Sequence, residues 1–245
     1  MNTSSFNRAR RPITYALLLA LLLPWAAAHA GVFSVTPVRL YMTPRDRAIA
    51  VTLTNEGDSA VVLQADINSW SQKPDGTDEL VLTEDLILAP PIIKLAPKAR
   101  QVVRLALLKP ADASRQLTYR MIIREVPEAL PSTGIQVPIA LALSMPVFIT
   151  PPAAKREINC STPRAEAAAL NLLCSNSGTA YAQIREAAIL RDGQALARFE
   201  GGTYILPGAS KTVSLKAEKT VPAGQARLVI TFDDGKSLTT DITLP

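Results

Sequence analysis

The 245-residue chain predicts an all-β protein built as two tandem Ig-like β-sandwich domains. Three observations carry that prediction. Strand-like segments recur at roughly eight- to fifteen-residue spacing with turn chemistry between them. Helical periodicity is nearly absent. A run of prolines and small residues, Thr150-Pro151-Pro152-Ala153-Ala154, divides the chain beyond its leader into two domain-sized parts.

The first thirty residues form no part of the fold. Arg8, Arg10 and Arg11 precede an apolar run from Tyr15 to Leu23, and Ala28-His29-Ala30 supplies a small-residue cleavage site. This is the pattern of a cleaved secretory signal peptide, with the mature chain starting at Gly31. A retained membrane anchor fits less well, because the apolar run is short for a bilayer span. The expected division is therefore a leader over 1–30, an N-terminal domain over 31–152 and a C-terminal domain over 153–245.

In the first domain the strands are read at Val32–Tyr41, Ala48–Asn55, Val61–Ser71, Leu80–Leu88, Arg100–Leu107, Leu117–Glu125 and Ile135–Ile149. Asn55-Glu56-Gly57-Asp58 and Lys73-Pro74-Asp75-Gly76 provide hairpin turns. In the second they are Lys155–Cys160, Ala168–Asn176, Ala182–Arg191, Thr212–Lys216, Ala226–Phe232 and Lys236–Thr243, with Asp234-Gly235 as a two-residue hairpin signal. Ala165–Leu173 has some helical propensity, but the flanking cysteines and the Ser175–Gly178 turn favour a strand. The remaining glycines, Gly193, Gly201 and Gly202 among them, read as turn residues. Pro90, in Ala89-Pro90-Pro91, is a candidate cis proline, with cis and trans both open.

The most informative segment is Gly134–Pro152. Ile135, Val137, Ile139, Leu141, Leu143, Met145 and Val147 occupy alternate positions, an apolar row on one strand face. Pro138 and Pro146 lie on the other face, which places the strand at or near a sheet edge. Long apolar edges are normally blunted by charge, and this one carries almost none. Either the row is buried in the protein's own core or it is kept for another chain.

Composition closes much of enzyme space. The only histidine, His29, leaves with the leader. The mature chain cannot run a Ser-His-Asp or Cys-His mechanism or build a His-containing zinc site. The leader's three arginines account for three of the five excess positive charges, so the mature net charge is +2 and gives little reason to expect nucleic acid or anionic lipid. No phosphate-binding glycine loop is present, and no cofactor or metal is expected. Asp75, Asp78 and Glu79 lack calcium-loop spacing and read as a solvated hairpin tip. Cys160 and Cys174, exported to an oxidising compartment, are expected to form a structural disulfide. Arg39, Arg120 and Arg124 with Glu125 are strand residues near the bare segment. An arginine fork beside an open edge is what capture of a chain-terminal carboxylate requires.

Taken in order, Val35-Thr36-Pro37-Val38-Arg39, Ala89-Pro90-Pro91, Val102-Val103-Arg104-Leu105, Arg124-Glu125-Val126-Pro127 and Pro146-Val147-Phe148-Ile149-Thr150-Pro151 resemble the PapD-like periplasmic pilus chaperones of chaperone–usher pathways. The Ser144–Phe148 pattern and the short Pro127–Thr133 connection are closer to the archaic, Csu-like branch. The resemblance implies a boomerang-like arrangement of the two domains and a non-enzymatic function. The last strand of domain one is lent to an incomplete pilin subunit, and the complex is delivered to an outer-membrane usher. It implies Ile135, Val137, Ile139, Leu141 and Leu143 as donor residues and Arg39 as an anchor for the subunit's terminal carboxylate. Where the family places a lysine this chain has Pro146, so the second cation falls to Arg124, with Arg104 and Arg120 behind it. Glu125 matches a family acid that holds the domains together, although its usual arginine partner is Thr150 here. Self-association is one way for the free protein to cover its edge. The alternative from another class is a secreted Ig-like adhesin or pilus structural component.

Overall fold

The computed structural model describes residues 33–127, 140–161, 164–166, 169–217 and 219–244, and they contain strands and no helix. In the first domain these are β1 (Phe33–Thr36), β2 (Leu40–Met42), β3 (Ala48–Asn55), β4 (Val61–Gln72) and β5 (Asp78–Leu82). They continue with β6 (Leu86–Ala89), β7 (Ile92–Leu95), β8 (Arg100–Leu107), β9 (Leu117–Glu125) and β10 (Ala142–Ile149). One sheet runs β1-β3-β8-β6. The other runs β2-β10-β9-β4-β5, with β7 beside β5 on the same flank of β4. Alternation decides the faces: Val61, Leu63, Ala65 and Ile67 of β4 point inward, while Asp66 and Asn68 do not. Leu53, Leu105, Met121, Ile123, Val147 and Ile149, all fully buried, complete the core between the sheets.

Two expected strands are each broken in two. Val32–Tyr41 divides at Pro37, where the chain leaves one sheet (β1) and enters the other (β2). Leu80–Leu88 divides likewise into β5 and β6, which lie in different sheets. The strand β7 has no clear sequence signal, because Ile92–Leu95 is short and follows two prolines. Both Thr36–Pro37 and Ala89–Pro90 are cis, the second at the candidate position.

The second domain comprises β11 (Ile158–Cys160), β12 (Arg164–Glu166), β13 (Ala169–Asn176), β14 (Ala182–Arg191), β15 (Gln194–Ile205), β16 (Ser210–Lys216), β17 (Gly224–Phe232) and β18 (Ser237–Leu244). β11, β12 and β16 pair with β13, while β15-β14-β17-β18 forms the opposing layer. A single pair, Arg198 with Lys216, joins the layers, and Leu172, Val213, Ile184, Leu228 and Ile230 fill the space between them. Cys160 and Cys174 stand opposite each other on β11 and β13 and are disulfide-bonded, Cα to Cα 4.0 Å.

β15 overturns the turn reading of Gly201 and Gly202. Both lie inside a twelve-residue strand, at a β-bulge where Ile184 pairs Thr203 but Glu186 pairs Glu200. Gly201 has φ +155°, and the extra residue breaks the alternation that would have revealed the strand. The hairpin into it is Asp192-Gly193, with φ of 51° and 78°, the left-handed pair that a two-residue turn demands.

The same polar device closes both domains. Asn55 is fully buried at the end of β3; its amide donates to the carbonyls of Ser59 and Ala96 at 2.8 and 2.9 Å, and Gly57 N donates to its oxygen. Asn176, at the end of β13, donates to Ala180 O and Ile205 O and accepts from Glu157 N and Gly178 N. Each carboxamide satisfies backbone groups that the departing strand leaves behind.

Candidate functional site

The apolar row of the last strand in domain one leaves its own core by degrees. Ile149 and Val147 are fully buried and Met145 nearly so, whereas Leu143 and Leu141 are only half-buried against the core rim. Ile135, Val137 and Ile139 lie outside the described residues.

Backbone pairing changes at the same place. Glu125 N donates to Leu141 O at 2.9 Å, which fixes the phase of the antiparallel ladder. Odd-numbered residues of β10 exchange hydrogen bonds with β9, and even-numbered ones turn their main-chain groups to the other side. There β2 runs parallel and covers Val147, Phe148 and Ile149 only, with Thr150 N donating to Met42 O beyond them. Pro146 comes next in the even phase and has no N–H to offer β2, so the parallel ladder stops. Ala142 and Ser144 then face a side on which no described strand lies. Among the described strands the expected edge is therefore only partial: β10 is internal at its C-terminal end and has one neighbour from Ala142 to Pro146.

Beside this edge is the junction of the domains. Phe148, on the even face of β10, is fully buried against Trp70 of β4 and Leu206. Tyr181 stacks on Phe148 at 4.0 Å between ring centroids, and Tyr204 meets Trp70 edge-on at 5.1 Å. Hydrogen bonds fix the rim. The Gln72 carboxamide donates to Tyr204 O and accepts from Leu206 N, both at 2.9 Å. Gln116 N donates to Thr179 O, and its side chain accepts from Tyr181 N at 2.8 Å. A Cβ on Gly178 would lie 2.3 Å from Lys155 O, so only glycine lets this loop rest on the linker.

Two guanidinium groups, those of Arg39 and Arg120, act electrostatically on Tyr204 at the domain junction. Arg39, just before β2, donates from Nη1 to Asp233 Oδ2 at 3.2 Å. Asp233 also accepts from Tyr181 Oη at 2.9 Å, and Tyr41 Oη is 3.1 Å from Tyr181 Oη. Arg120, on β9 directly across from Pro146, lies 3.8 Å over the Trp70 ring and 5.5 Å from that of Tyr204. Burial lowers the Arg120 pKa, and Asp78 and Tyr204 offset that only in part. Burial also raises the Tyr204 phenol, against the opposing pull of Arg39 and Arg120. The Tyr181 phenol is pushed far above its ordinary value by burial, then by its bonds to Tyr41 and Asp233.

The structure distributes the other expected site residues differently. Arg124 shares the face of Arg120 but is four residues further along β9, where Asp66 holds its guanidinium. Arg104 is on β8, in the sheet on the far side of the sandwich from the cleft. Glu125 ends β9 opposite Leu63, whereas domain two meets the Gln116–Arg120 end of that strand. The polar contacts between the domains include those of Arg39, Tyr41, Gln72, Asp78, Arg115 and Gln116, and Glu125 makes none of those described. Sequence pattern does not single out Trp70, Tyr181, Tyr204 or Asp233. One signal for Trp70 is present: it is an aromatic residue on the face of β4 that otherwise carries Gln64, Asp66 and Asn68.

Among the described residues no cluster of three or more His, Cys, Asp or Glu could hold a metal ion. Nor is any helix there long and apolar enough to cross a membrane.

A pair of Ig-like sandwiches, the first with a half-covered last strand beside an interdomain cleft that Arg39 lines, defines a two-domain β module. The chain belongs to the family of pili and flagellar-assembly chaperones: the PapD N-terminal domain of that family matches residues 32–155. Its fold is similar to that of a chain in the CsuC–CsuE chaperone–tip adhesion subunit pre-assembly complex from the archaic Csu pili of Acinetobacter baumannii. That match has TM-score 0.65 and 20% identity over 88% of this chain and 100% of the other. The YadV chaperone matches at TM-score 0.61 and 15% identity, covering 87% and 100%. A chain in the complex of the Salmonella enterica SafA pilin with the SafB chaperone matches at 0.57 and 14%, covering 86% and 96%. No curated protein matches the chain in sequence.

Proposed function

We propose that this protein is a periplasmic chaperone, exported by a cleaved signal peptide, that binds pilin subunits by donor-strand complementation and delivers them to an outer-membrane usher. The observation that carries this reading is the outward passage of one apolar row, from fully buried Ile149 to half-buried Leu141, where β10 also loses its second neighbour. An incomplete sandwich can take the free main-chain groups of Ala142 and Ser144 as a missing strand and accept Leu143, Leu141, Ile139, Val137 and Ile135 in its own core. Each anchor that becomes fully buried contributes about 1.5–3 kcal/mol before ordering costs. Backbone pairing makes the affinity tolerant of subunit sequence. Nucleotide is not needed, because the subunit's folding supplies the driving force. Arg39 receives the subunit's terminal carboxylate, and Arg120, across the ladder from Pro146, supplies the second cation better than Arg124 or Arg104.

The test is co-expression of the mature chain with a pilin subunit and recovery of the soluble complex. Leu141→Asp and Ile139→Asp abolish recovery while leaving the chaperone folded. Arg39→Ala and Arg120→Ala reduce it more than Arg104→Ala does. Undiminished recovery with both aspartate variants refutes strand donation, and equal losses from the three arginine variants refute the anchor.

A further inference from the structure

We propose that Asp233 is an internal competitor for Arg39: from domain two it occupies the guanidinium that a subunit's terminal carboxylate takes on binding. The proposal rests on the anchor reading of Arg39 given above.

Three features of the cleft support it. Asp233 is the only described carboxylate bonded to Arg39, at 3.2 Å, and its side chain is 12% exposed against 29% for the arginine. The acid is therefore held inside while the cation opens to the cleft. The acid is also held in place: Tyr181 donates its phenolic proton to Asp233, which leaves Tyr41 to donate to Tyr181. This relay of hydroxyls returns to β2 on the same strand face as Arg39, closing a ring across the domain boundary. Finally, Arg120 differs in kind. Its guanidinium lies on Trp70, and no described carboxylate is within ion-pair distance of it.

The cleft is thus not a simple two-cation site. Arg39 and Asp233 form a neutral pair, Lys155, Arg156, Asp234 and Lys236 line the same cavity around it, and Arg120 adds a cation on the Trp70 ring. An incoming carboxylate that engages Arg39 must share the guanidinium with a second negative group, and like charges at that distance repel. Either Asp233 yields its bond or the ligand binds less tightly than the open cation would allow. The consequence is selectivity. A small anion or an unrelated chain end brings only a carboxylate and gains little. A subunit that also adds its strand to β10 brings enough binding energy to displace Asp233.

The experiment uses the purified mature chain and two synthetic peptides of alternating valine and serine, one ending in a free acid and one in an amide. The ratio of their dissociation constants isolates the carboxylate's contribution and is insensitive to general loss of stability. Asp233→Asn keeps the size of the side chain and its acceptor for Tyr181 but removes the competing charge. The acid-over-amide preference rises about two- to fivefold in this variant, the scale of a partly exposed ion pair. An unchanged or smaller preference overturns the proposal. Asp233→Ser carries the same expectation if the asparagine variant does not fold. If the wild-type chain binds acid and amide equally, and Arg39→Ala leaves that unchanged, the anchor reading itself fails.

Discussion

Phe148→Ala tests whether the aromatic stack couples the two domains. The side chain is fully buried, with Tyr181 at 4.0 Å, Tyr41 at 5.8 Å and Trp70 and Tyr204 each at 6.1 Å between ring centroids. Truncating a buried phenylalanine costs about 3–5 kcal/mol. Each aromatic pair contributes about 0.5–1.5 kcal/mol beyond its area, and these terms do not add independently. Because Phe148 sits between the two cores and within neither, most of the loss falls on domain docking. The hydrogen bonds of Gln72 and Gln116 remain, each worth about 0.5–1.5 kcal/mol net, so the domains loosen without separating. We expect a net loss of about 3 kcal/mol. Urea denaturation of the mature chain followed by fluorescence is the assay, because Trp70 is its sole tryptophan. The native emission of Phe148→Ala shifts to the red as Trp70 gains water. Val147→Ala is the control: it lies one residue earlier on the opposite face, fully buried in domain one. It lowers stability and leaves the native emission in place. An unshifted spectrum in Phe148→Ala, with a loss below about 1 kcal/mol, refutes the coupling.

Two further expectations concern stability. Burial acts to raise the Asp85 carboxyl, but Lys109 at 2.5 Å and the Tyr119 hydroxyl at 3.0 Å outweigh it, so its pKa lies below the usual carboxylate range. A depressed folded pKa stabilises fully above the unfolded value of about 3.9, and the contribution fades as pH falls through the folded value. Denaturation curves of wild type and Asp85→Asn therefore converge below about pH 4, and a constant gap down to the acid limit refutes this account. Replacing both Cys160 and Cys174 by serine costs about 3 kcal/mol on the chain-entropy account, and a loss confined to domain two is expected in calorimetry.

Much of this molecule is written in local pattern. Alternation along Val61–Ser71, Leu117–Glu125 and Ala182–Arg191 announces strands, because a half-buried sheet repeats every two residues. Turn chemistry at Lys73–Gly76 and Asp234-Gly235 joins them. The apolar row through Leu141 and Leu143 is legible for the same reason. Where the chain breaks that period, local pattern fails. The Gly201-Gly202 bulge hides β15, and the passage between sheets hides the division at Pro37.

The cleft is another matter. Trp70 and Phe148 stand on β4 and β10, far apart in sequence, and Tyr181, Tyr204 and Asp233 belong to the other domain. Nothing in the spacing of these residues brings them together. Which arginine faces the cleft is equally hidden: Arg120 and Arg124 share one face of one strand, and register alone sets Arg120 opposite Pro146 and Arg124 beside Asp66. Alternation assigns a residue to a face of its own strand, a property of a few consecutive dihedrals. What that face meets depends on the ladder register and on how two complete sandwiches dock, and both are decided by contacts between residues far apart in the chain. Local pattern thus specifies two β-domains and a strand too apolar for an ordinary edge. Long-range packing alone sets where that strand lies open and which cations stand beside it.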